Sequence, residues 1–277
     1  MSLNSVNTNV GAQIALQNLQ STSRELATVQ TRISTGKAVS SAKDDGAIYA
    51  IAQSQRSEIG ALNSVKDSLN RGSSAVDVGL AAGESVADLL SQLKAKALSA
   101  TDKSLTTSAR SALNEDFKAI RDQITTVVAN AKFNGVNLLD NSTGTGGYKA
   151  LSNTAGSTIK VAGENLSLGG ANVTVAATTT IGTSTLATTA LGLVNASIDK
   201  VSASLARLGT GSKSFSTHLS FVGKLQDALE TGVGNLVDAD LAKESARLQS
   251  LQTKQQLGVQ ALSIANSSTS ILLGLFR

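Results

Sequence analysis

From Val194 to Leu236 the chain reads VNASIDKVSASLARLGTGSKSFSTHLSFVGKLQDALETGVGNL, with apolar residues at alternating steps of four and three. Only Ser212 and Gln226 interrupt the series. A period near 3.5 places these side chains along one line of an α-helix, which needs an apolar line opposite. The apolar positions are Val194, Ile198, Val201, Leu205, Leu208, Phe215, Leu219, Val222, Leu229, Val233 and Leu236.

A second series with the same spacing lies roughly 100 residues or more earlier in the chain. Pairing of the two series predicts a mainly α fold: a long, rod-like antiparallel coiled-coil-like helix bundle formed by N- and C-terminal segments, with a small β-hairpin region in the middle. The earlier series consists of Ile48, Ile51, Leu62, Val65, Leu69, Val76, Val86, Leu90 and Leu93.

Composition fits long helices better than a large globular core. Aromatic residues make up 3% of the 277 residues, and Trp is absent. Proline is absent too, so no internal Pro breaks a helix. The lack of Cys excludes disulfides and thiolate catalysis, and a single His makes a zinc site implausible. We expect no cofactor and no metal.

Charge and hydropathy exclude two further classes of function. The net charge is +4, but Lys and Arg are spread singly along the chain, so nucleic-acid binding is not expected. The longest apolar stretches fall short of the roughly 18–20 residues that span a bilayer, so we expect no stable membrane insertion. Residues 1–9 lack the basic and apolar regions of a cleavable secretory signal.

The N-terminal half is predicted to form three helices. The first runs from about Ser5 to Ser34 and ends at Gly36, a plausible left-handed position. A polar connector containing Lys43, Asp44 and Asp45 follows, and either aspartate can cap the next helix. The second helix spans about 47–99 and breaks at 101–104. A third carries Leu113, Phe117, Ile120, Ile124 and Val127 on one face.

Beyond Asn141 the chain is rich in Gly, Thr, Ser and Ala. Alternating runs at Ser157–Val161 and Ala171–Val175 predict short strands of hairpins. A terminal helix follows the acidic segment 238–240. Glycines in the helical segments, Gly72, Gly79, Gly83 and Gly258, are expected to let helices approach closely.

The two terminal helices each carry an apolar stripe, but each is too polar to lie in a core. Such stripes mark an association surface, and neither helix is expected to be stable alone. The residues predicted to mediate self-assembly are Leu16, Leu19, Leu26, Ile33, Leu241, Leu248, Leu251, Leu262, Leu272 and Phe276.

Catalytic patterns are not found. His218 lies beside a helical apolar position, where a structural role is more plausible than a catalytic one. Residues 209–214, GTGSKS, resemble a phosphate loop, but the spacing departs from that motif and the segment continues the helical series. We therefore expect that the protein is not an enzyme.

Several segments, in this order, resemble bacterial flagellins, the filament subunits of the flagellum. The resemblance covers about 140 residues at the start and about 85 at the end. The segments are Arg32–Gly36 (RISTG), Ser41–Asp45 (SAKDD), Asn70–Gly72 (NRG), Phe133–Leu139 (FNGVNLL), Asp238–Glu244 (DADLAKE) and Leu273–Arg277 (LGLFR).

The resemblance implies a division of the chain. Residues 1–45 and 237–277 would form the inner tube of a filament, 46–140 and 187–236 an outer helical shell, and 141–186 a variable Gly/Thr-rich β-hairpin region, with no large outer domain. It also implies a homopolymer outside the cell that serves swimming motility. Subunits would leave unfolded through the flagellar type III export apparatus, add under a cap, and meet hook-associated junction proteins.

Two further expectations follow from the resemblance. In many flagellins the stretch aligned with Leu90–Ser99 reads LQRVRELAVQ and forms the core of an innate immune receptor site, whereas this chain reads LSQLKAKALS. With Leu90, Gln92, Lys94 and Lys96 in that degenerate segment, weak or absent receptor activation is expected. Hydroxyls at Thr178, Thr179 and Thr180 are candidate O-glycan acceptors, and an unmodified polar loop is the equal alternative.

Two other functions stay open at this point. A hook–filament junction protein shares the same terminal architecture but contributes only a ring of subunits. A secreted helical effector that interacts with a membrane belongs to another class, and it would bind liposomes without forming long polymers.

Overall fold

The computed structural model describes residues 8–143 and 146–274, with side chains as far as Ser267. This part of the chain contains five helices and two short β-hairpins. The helices are α1 (Val10–Thr35), α2 (Gly46–Ala100), α3 (Thr107–Asn130), α4 (Ser184–Val237) and α5 (Leu241–Gly274). The mainly α architecture with a small β region in the middle is confirmed.

The chain forms two compact units. The terminal unit contains the described residues up to Ser57 and those from Ala228 onward, and the central unit runs from Glu58 to Asp227. Helices α2 and α4 contribute residues to both units.

In the central unit α2 and α4 run antiparallel. The Cβ of a residue at position 83 would lie 2.6 Å from Leu205 Cδ2, and one at position 72 would lie 2.9 Å from Phe215 Cε2. Gly79, by contrast, leaves room for a Cβ at ordinary contact distance, so it is not needed for close approach. Most residues of the two predicted apolar series are buried here: Leu62, Val65, Leu69, Val76, Val86, Leu90, Leu93, Val194, Val201, Leu208, Phe215 and Val222.

Alternate positions of the predicted series on α4 are less buried than expected, although Leu205 does face Gly83 of α2. Ser197 and Ser204 are fully buried, whereas Ile198 and Leu205 are only half-buried. The reason is polar packing: Ser197 Oγ accepts a 2.9 Å hydrogen bond from the backbone N–H of Thr174 and donates one of 2.7 Å to Leu193 O. A small hydroxyl lets the 172–175 segment approach the helix, which an isoleucine at this position would prevent.

Two apolar positions in the terminal unit are also predicted wrongly. Ile51 is 50% exposed and Leu236 36% exposed, whereas Ala52 and Val237 are buried. Successive helical residues point about 100° apart. The buried stripe passes through the neighbouring residue at each place, and the larger side chain is thereby turned toward solvent.

Helix α3 buries a stripe that is partly polar. Phe117 and Ile124 are buried as predicted, together with Arg110, Asn114 and Arg121. Asn114 Oδ1 accepts a 2.8 Å hydrogen bond from the N–H of Ile181, and Arg121 Nη1 donates one of 3.0 Å to Thr179 O. These side chains hold the segment that leads into α4.

Arg110 of α3 stabilises the connector that follows α2. Its Nη1 donates to Ala100 O and its Nη2 donates to Asp102 O at 2.9 Å. Ala100 O is a carbonyl that the end of a helix leaves without an intrahelical partner, and Asp102 O belongs to the connector that follows. The predicted break at 101–104 is confirmed by the end of α2 at Ala100.

Both hairpins are antiparallel. Strands β1 (Lys132–Phe133) and β2 (Val136–Asn137) pair around a two-residue turn, in which Asn134 and Gly135 have φ of 49° and 81°. Strands β3 (Tyr148–Leu151) and β4 (Thr158–Val161) pair in register from Tyr148 opposite Val161 to Leu151 opposite Thr158.

The strand predicted at Ser157–Val161 is confirmed as β4, but the one at Ala171–Val175 is wrong. That segment makes only an isolated bridge between Leu168 and Val173. Val173 and Val175 are buried, and Thr174 bonds to α4 through its N–H and hydroxyl. The alternation of Val and Thr therefore reflects packing on a helix and not pairing in a sheet.

Candidate self-association surface

In the terminal unit α1 and α5 pack antiparallel over their length. Asn9 Nδ2 donates a 2.7 Å hydrogen bond to Ala265 O near one end of the pair. Near the other, the backbone of Lys37 bridges to Asp238 and Ala38 N donates to Val237 O at 2.7 Å. A Cβ at Gly258 would lie 3.3 Å from Leu19 Cδ1, a close approach that was predicted for this glycine.

Local signals in the sequence set the ends of these helices. The Asn9 side chain caps α1 by accepting from Ala12 N at 2.9 Å, and Gly36 ends the helix at φ 70°, as predicted. Asp240 Oδ1 accepts from the N–H groups of Ala242 and Lys243 at the start of α5.

The residues predicted to mediate self-assembly differ in burial. Leu251 is buried, Leu19, Leu26, Ile33, Leu248 and Leu262 are half-buried, and Leu16 and Leu241 are 45% and 49% exposed. Leu272 lies in α5, but its side chain is outside the described part, as is the whole of Phe276.

Sequence reasoning missed a second set of apolar residues on the same two helices. They lie outside the stripe that joins α1 to α5, and most of them are on the opposite side of their helix, so one series of heptad positions could not find them. The sequence did contain a signal for them: Val10 and Ile14 are four residues apart, and Leu257 and Ile264 are seven apart, so each two residues share one face of a helix. The exposed fractions are 50% for Val10, 54% for Ile14, 59% for Leu257, 53% for Val259 and 70% for Ile264.

Charged groups cross the α1–α5 pair at two points. Arg32 Nη1 lies 3.2 Å from Glu244 Oε1, and Arg247 Nη2 lies 3.5 Å from Glu25 Oε2. Glu244 is 8% exposed, and its Oε2 and the Arg32 Nε are buried without a hydrogen-bond partner in the structure. The first pair is thus only partly satisfied within the chain.

The two connector aspartates have different tasks. Asp45 Oδ1 caps α2 by accepting from the N–H groups of Ala47 and Ile48, each at 3.0 Å. Asp44 Oδ2 accepts from the N–H and hydroxyl groups of Ser40 and Ser41, and these bonds, led by the Ser41 N–H, lower the pKa of the Asp44 carboxyl. Lys43 is exposed beside them.

The segment aligned with the receptor site belongs to α2. Leu90 is buried in the central unit, whereas Gln92 and Lys94 are exposed. Lys96 Nζ forms a 2.6 Å ion pair with Asp116 Oδ2 of α3.

The three candidate glycan acceptors lie in the loop before α4. Thr178 is exposed, and Thr179 and Thr180 are half-buried. The Thr179 hydroxyl accepts a 3.0 Å hydrogen bond from Ala176 N.

His218 Nε2 lies 2.7 Å from the carbonyl oxygen of Ser152, next to the β3–β4 hairpin. Among residues 8–143 and 146–274, no group of three acidic or histidine side chains is arranged to hold a metal ion. Within the same described ranges, no helix combines the length and the apolar character needed to cross a bilayer.

Comparison with known proteins identifies the family. A family model for the bacterial flagellin N-terminal helical region matches residues 6–144, and one for the bacterial flagellin C-terminal helical region matches residues 191–276. The two matched regions define the class as structural proteins built from long terminal helices. The chain belongs to the bacterial flagellin family.

Relatives agree over the full length. Flagellin FljM of Caulobacter vibrioides is 56% identical and flagellin of Brucella melitensis 36% identical, with alignments that cover at least 99% of each chain. A crystal structure of Bacillus cereus flagellin is 16% identical with a TM-score of 0.37, and it covers 66% of this chain and 94% of that one. That likeness is too weak to describe this chain's fold.

Proposed function

We propose that this protein is the structural subunit of a bacterial flagellar filament, which polymerises outside the cell and serves swimming motility. The observation that carries the proposal is the second apolar set on α1 and α5, which includes Ile264 at 70% exposure. Membership of the flagellin family indicates that the polymer is a flagellar filament. The exposed apolar set is the physical reason why subunits would polymerise.

A pair of helices cannot cover its own apolar residues on every side. In α1 only Val29 is fully buried, and in the described part of α5 Leu251 is the buried apolar residue. Burial of one large aliphatic side chain contributes about 1.5–3 kcal/mol. Neighbouring copies that cover Ile14, Leu257 and Ile264 would therefore stabilise the pair further, in addition to its own contacts.

We propose the division of the chain that the family resemblance implies. Residues 1–45 and 237–277 would pack against copies of themselves as an inner tube, while 46–140 and 187–236 form an outer shell and 141–186 a surface region. Contacts between non-identical surfaces that do not close into a ring give an open helical polymer.

Export and assembly partners belong to the same proposal. The subunit would pass unfolded through the flagellar type III export apparatus, fold under a cap at the distal tip, and meet hook-associated junction proteins at the base. The chain has neither Pro nor Cys, so its folding at the tip involves no prolyl isomerisation and no disulfide exchange, which are the slow steps of many proteins.

We also propose weak or absent activation of the innate immune receptor, because the segment at 90–99 lacks the Arg-Glu-Leu core of receptor-binding relatives. Purified monomer that activates the receptor at doses typical of the family would contradict this. O-glycosylation, for which Thr178–Thr180 are the candidate acceptors, is tested by intact mass, because each sugar adds to the sequence mass and a mass equal to that of the sequence would exclude it.

Seeded growth tests the proposed function. Purified monomer added to sheared filament seeds should extend them into long helical filaments that are visible by electron microscopy. Growth that stops after a ring of subunits would favour the junction protein. Tight binding to liposomes with no filaments would favour a membrane-interacting effector.

A further inference from the structure

Phe221 is an exposed aromatic residue on the surface of the central unit. It is 56% exposed, whereas Phe117 and Phe215 are fully buried. Leu225, one helical turn later, is 36% exposed and extends the apolar patch. Lys213 and Lys224 flank this patch on α4, and neither makes an ion pair within the described part of the chain.

A groove of about 420 Å³ lies between α2 and α3 of the same unit. Leu89 and Val127 give it an apolar lining, and Gln92, Gln123 and Thr126 give it polar groups. Its one charged lining residue is Asp88, a carboxylate without an ion-pair partner among the described side chains. The groove is therefore apolar and acidic, whereas the patch around Phe221 is apolar and basic.

The patch cannot reach the groove of its own chain. Gly83 of α2 lies opposite Leu205 of α4, and the two helices run antiparallel. The groove around Asp88 is thus level with about residue 200 of α4, and Phe221 lies about 20 residues further along, or about 30 Å at 1.5 Å per residue. Only another copy can bring the two surfaces together.

We propose that the Phe221–Leu225 patch of one subunit docks into the α2–α3 groove of a neighbouring subunit. Phe221 and Leu225 would contact Leu89 and Val127, and Lys224 would approach Asp88. An aromatic anchor in a groove with an opposite charge at its rim is the usual composition of a strong contact. This inference rests on the proposed function, since it names one interface of the filament.

The contact is heterologous, because the two surfaces are different parts of the chain. Each subunit carries both the patch and the groove, so it can join one neighbour through the patch and another through the groove. Repetition of such a contact builds an open polymer, as the proposed function requires.

Cysteine cross-linking tests the contact, because the natural chain contains no Cys. One chain carries Thr126→Cys in the groove and another carries Leu225→Cys in the patch. The two are copolymerised on seeds and treated with a short bis-maleimide. The expected result is a cross-linked dimer of the two different chains in filaments and not in monomer at the same concentration.

The matched control replaces Thr126→Cys by Ser108→Cys, which is also exposed on α3 but lies 18 residues, or about 27 Å, away. This pair should give no dimer. Normal filaments without the Thr126–Leu225 dimer would overturn the contact and leave the proposed function intact. Dimers formed by Thr126→Cys chains alone would overturn it too, and wild-type monomer that never extends seeds would instead contradict the proposed function.

Charge reversal gives a second test that does not depend on cysteine variants. Asp88→Lys and Lys224→Glu should each slow seeded growth at least threefold at low salt, and the double variant should recover most of the wild-type rate. Additive losses in the double variant would contradict the pairing. Circular dichroism of each monomer checks that the helices are retained.

Discussion

At the scale of single residues, glycines determine how closely the elements of the central unit approach. Gly72 lies against Phe215 and Tyr148, Gly83 lies against Leu205, and a Cβ at Gly211 would lie 2.6 Å from Val161 Cγ1. The neighbours of Gly72 are the rings of a buried phenylalanine and a half-buried tyrosine. These two rings pack edge to face, with their centroids 6.4 Å apart. Such rings move less readily than the end of a leucine.

The same substitution at two glycines of α2 should therefore have opposite effects. Gly72→Ala places a Cβ 2.9 Å from Phe215, and the overpacking cost of about 1–3 kcal/mol exceeds the gain of about 1 kcal/mol in helix propensity. The free energy of unfolding should therefore fall by up to about 2 kcal/mol. Gly60→Ala meets nothing within 4 Å and should raise it by up to about 1 kcal/mol through helix propensity. Urea unfolding of the monomer measures both, and stabilisation by both substitutions would contradict the packing.

Glu164 and Arg207 join the middle segment to α4. Arg207 Nε and Nη2 donate to the two carboxylate oxygens at 2.6 Å each, and Asn172 Nδ2 donates at 3.3 Å. Burial alone would raise the pKa of the Glu164 carboxyl, but hydrogen bonds from Arg207 and Ser204 outweigh it and lower that pKa. The same pair raises the pKa of Arg207.

Glu164→Gln should lower the free energy of unfolding at pH 7 by about 1–2 kcal/mol, because Arg207 is half-exposed and the solvent screens the pair. A carboxyl with a lowered folded pKa stabilises the protein above its ordinary value of 4.5, and that contribution is lost as the pH falls through the folded pKa. The difference between wild type and variant should therefore shrink below pH 4.5. A difference independent of pH in monomer denaturation would contradict this assignment.

Sequence reasoning located apolar residues well and buried polar residues poorly. The residues at seven-residue intervals are all buried in the core: Val194, Val201, Leu208, Phe215 and Val222. Ser197 and Ser204 are equally buried because they are hydrogen-bonded: Ser197 Oγ accepts from Thr174 N, and Ser204 bonds to Glu164 and to Arg207 of its own helix. Such partners are invisible in a periodic pattern.

At the scale of elements, local chemistry defined the helix ends but not the hairpins. Asn134–Gly135 is a two-residue turn signal that was available between β1 and β2, since both residues adopt positive φ. Strand β3 was missed because Tyr148–Leu151 follows a run of Gly and Thr and has little alternation of its own. Its position depends on contacts far away, such as the 3.0 Å bond from Leu151 N to Ser68 Oγ.

The start of α2 offers a test at this scale. Asp45→Ala removes the acceptor for the N–H groups of Ala47 and Ile48, at a cost of about 1 kcal/mol in local helix stability. Hydrogen exchange in assembled filaments should then speed up over the first turn of α2. Lys43→Ala, a neighbouring exposed change, is the control and should leave that exchange unaltered. Equal exchange in wild type and Asp45→Ala would contradict the capping role.

At the scale of the whole molecule, a substitution on the exposed surface of α5 should affect growth of the filament and leave the stability of the isolated subunit nearly unchanged. Ile264→Ser alters a side chain that is 70% exposed, so the thermal midpoint of the monomer should change little. If neighbouring copies cover that side chain, seeded growth should slow severalfold, because about 1.5–3 kcal/mol of burial is lost per contact. Gln260→Ser, an exposed polar change on the same helix, is the control and should grow normally.

The central claim is that α1 and α5 become stable only when neighbouring copies surround them. Hydrogen exchange with mass spectrometry, compared between dilute monomer and filament, measures this directly. Amides of α1 and α5 should exchange rapidly in monomer and slowly in filament, while those of Glu58–Asp227 should be protected in both. Strong protection of α1 and α5 in dilute monomer that fails to extend seeds would contradict it.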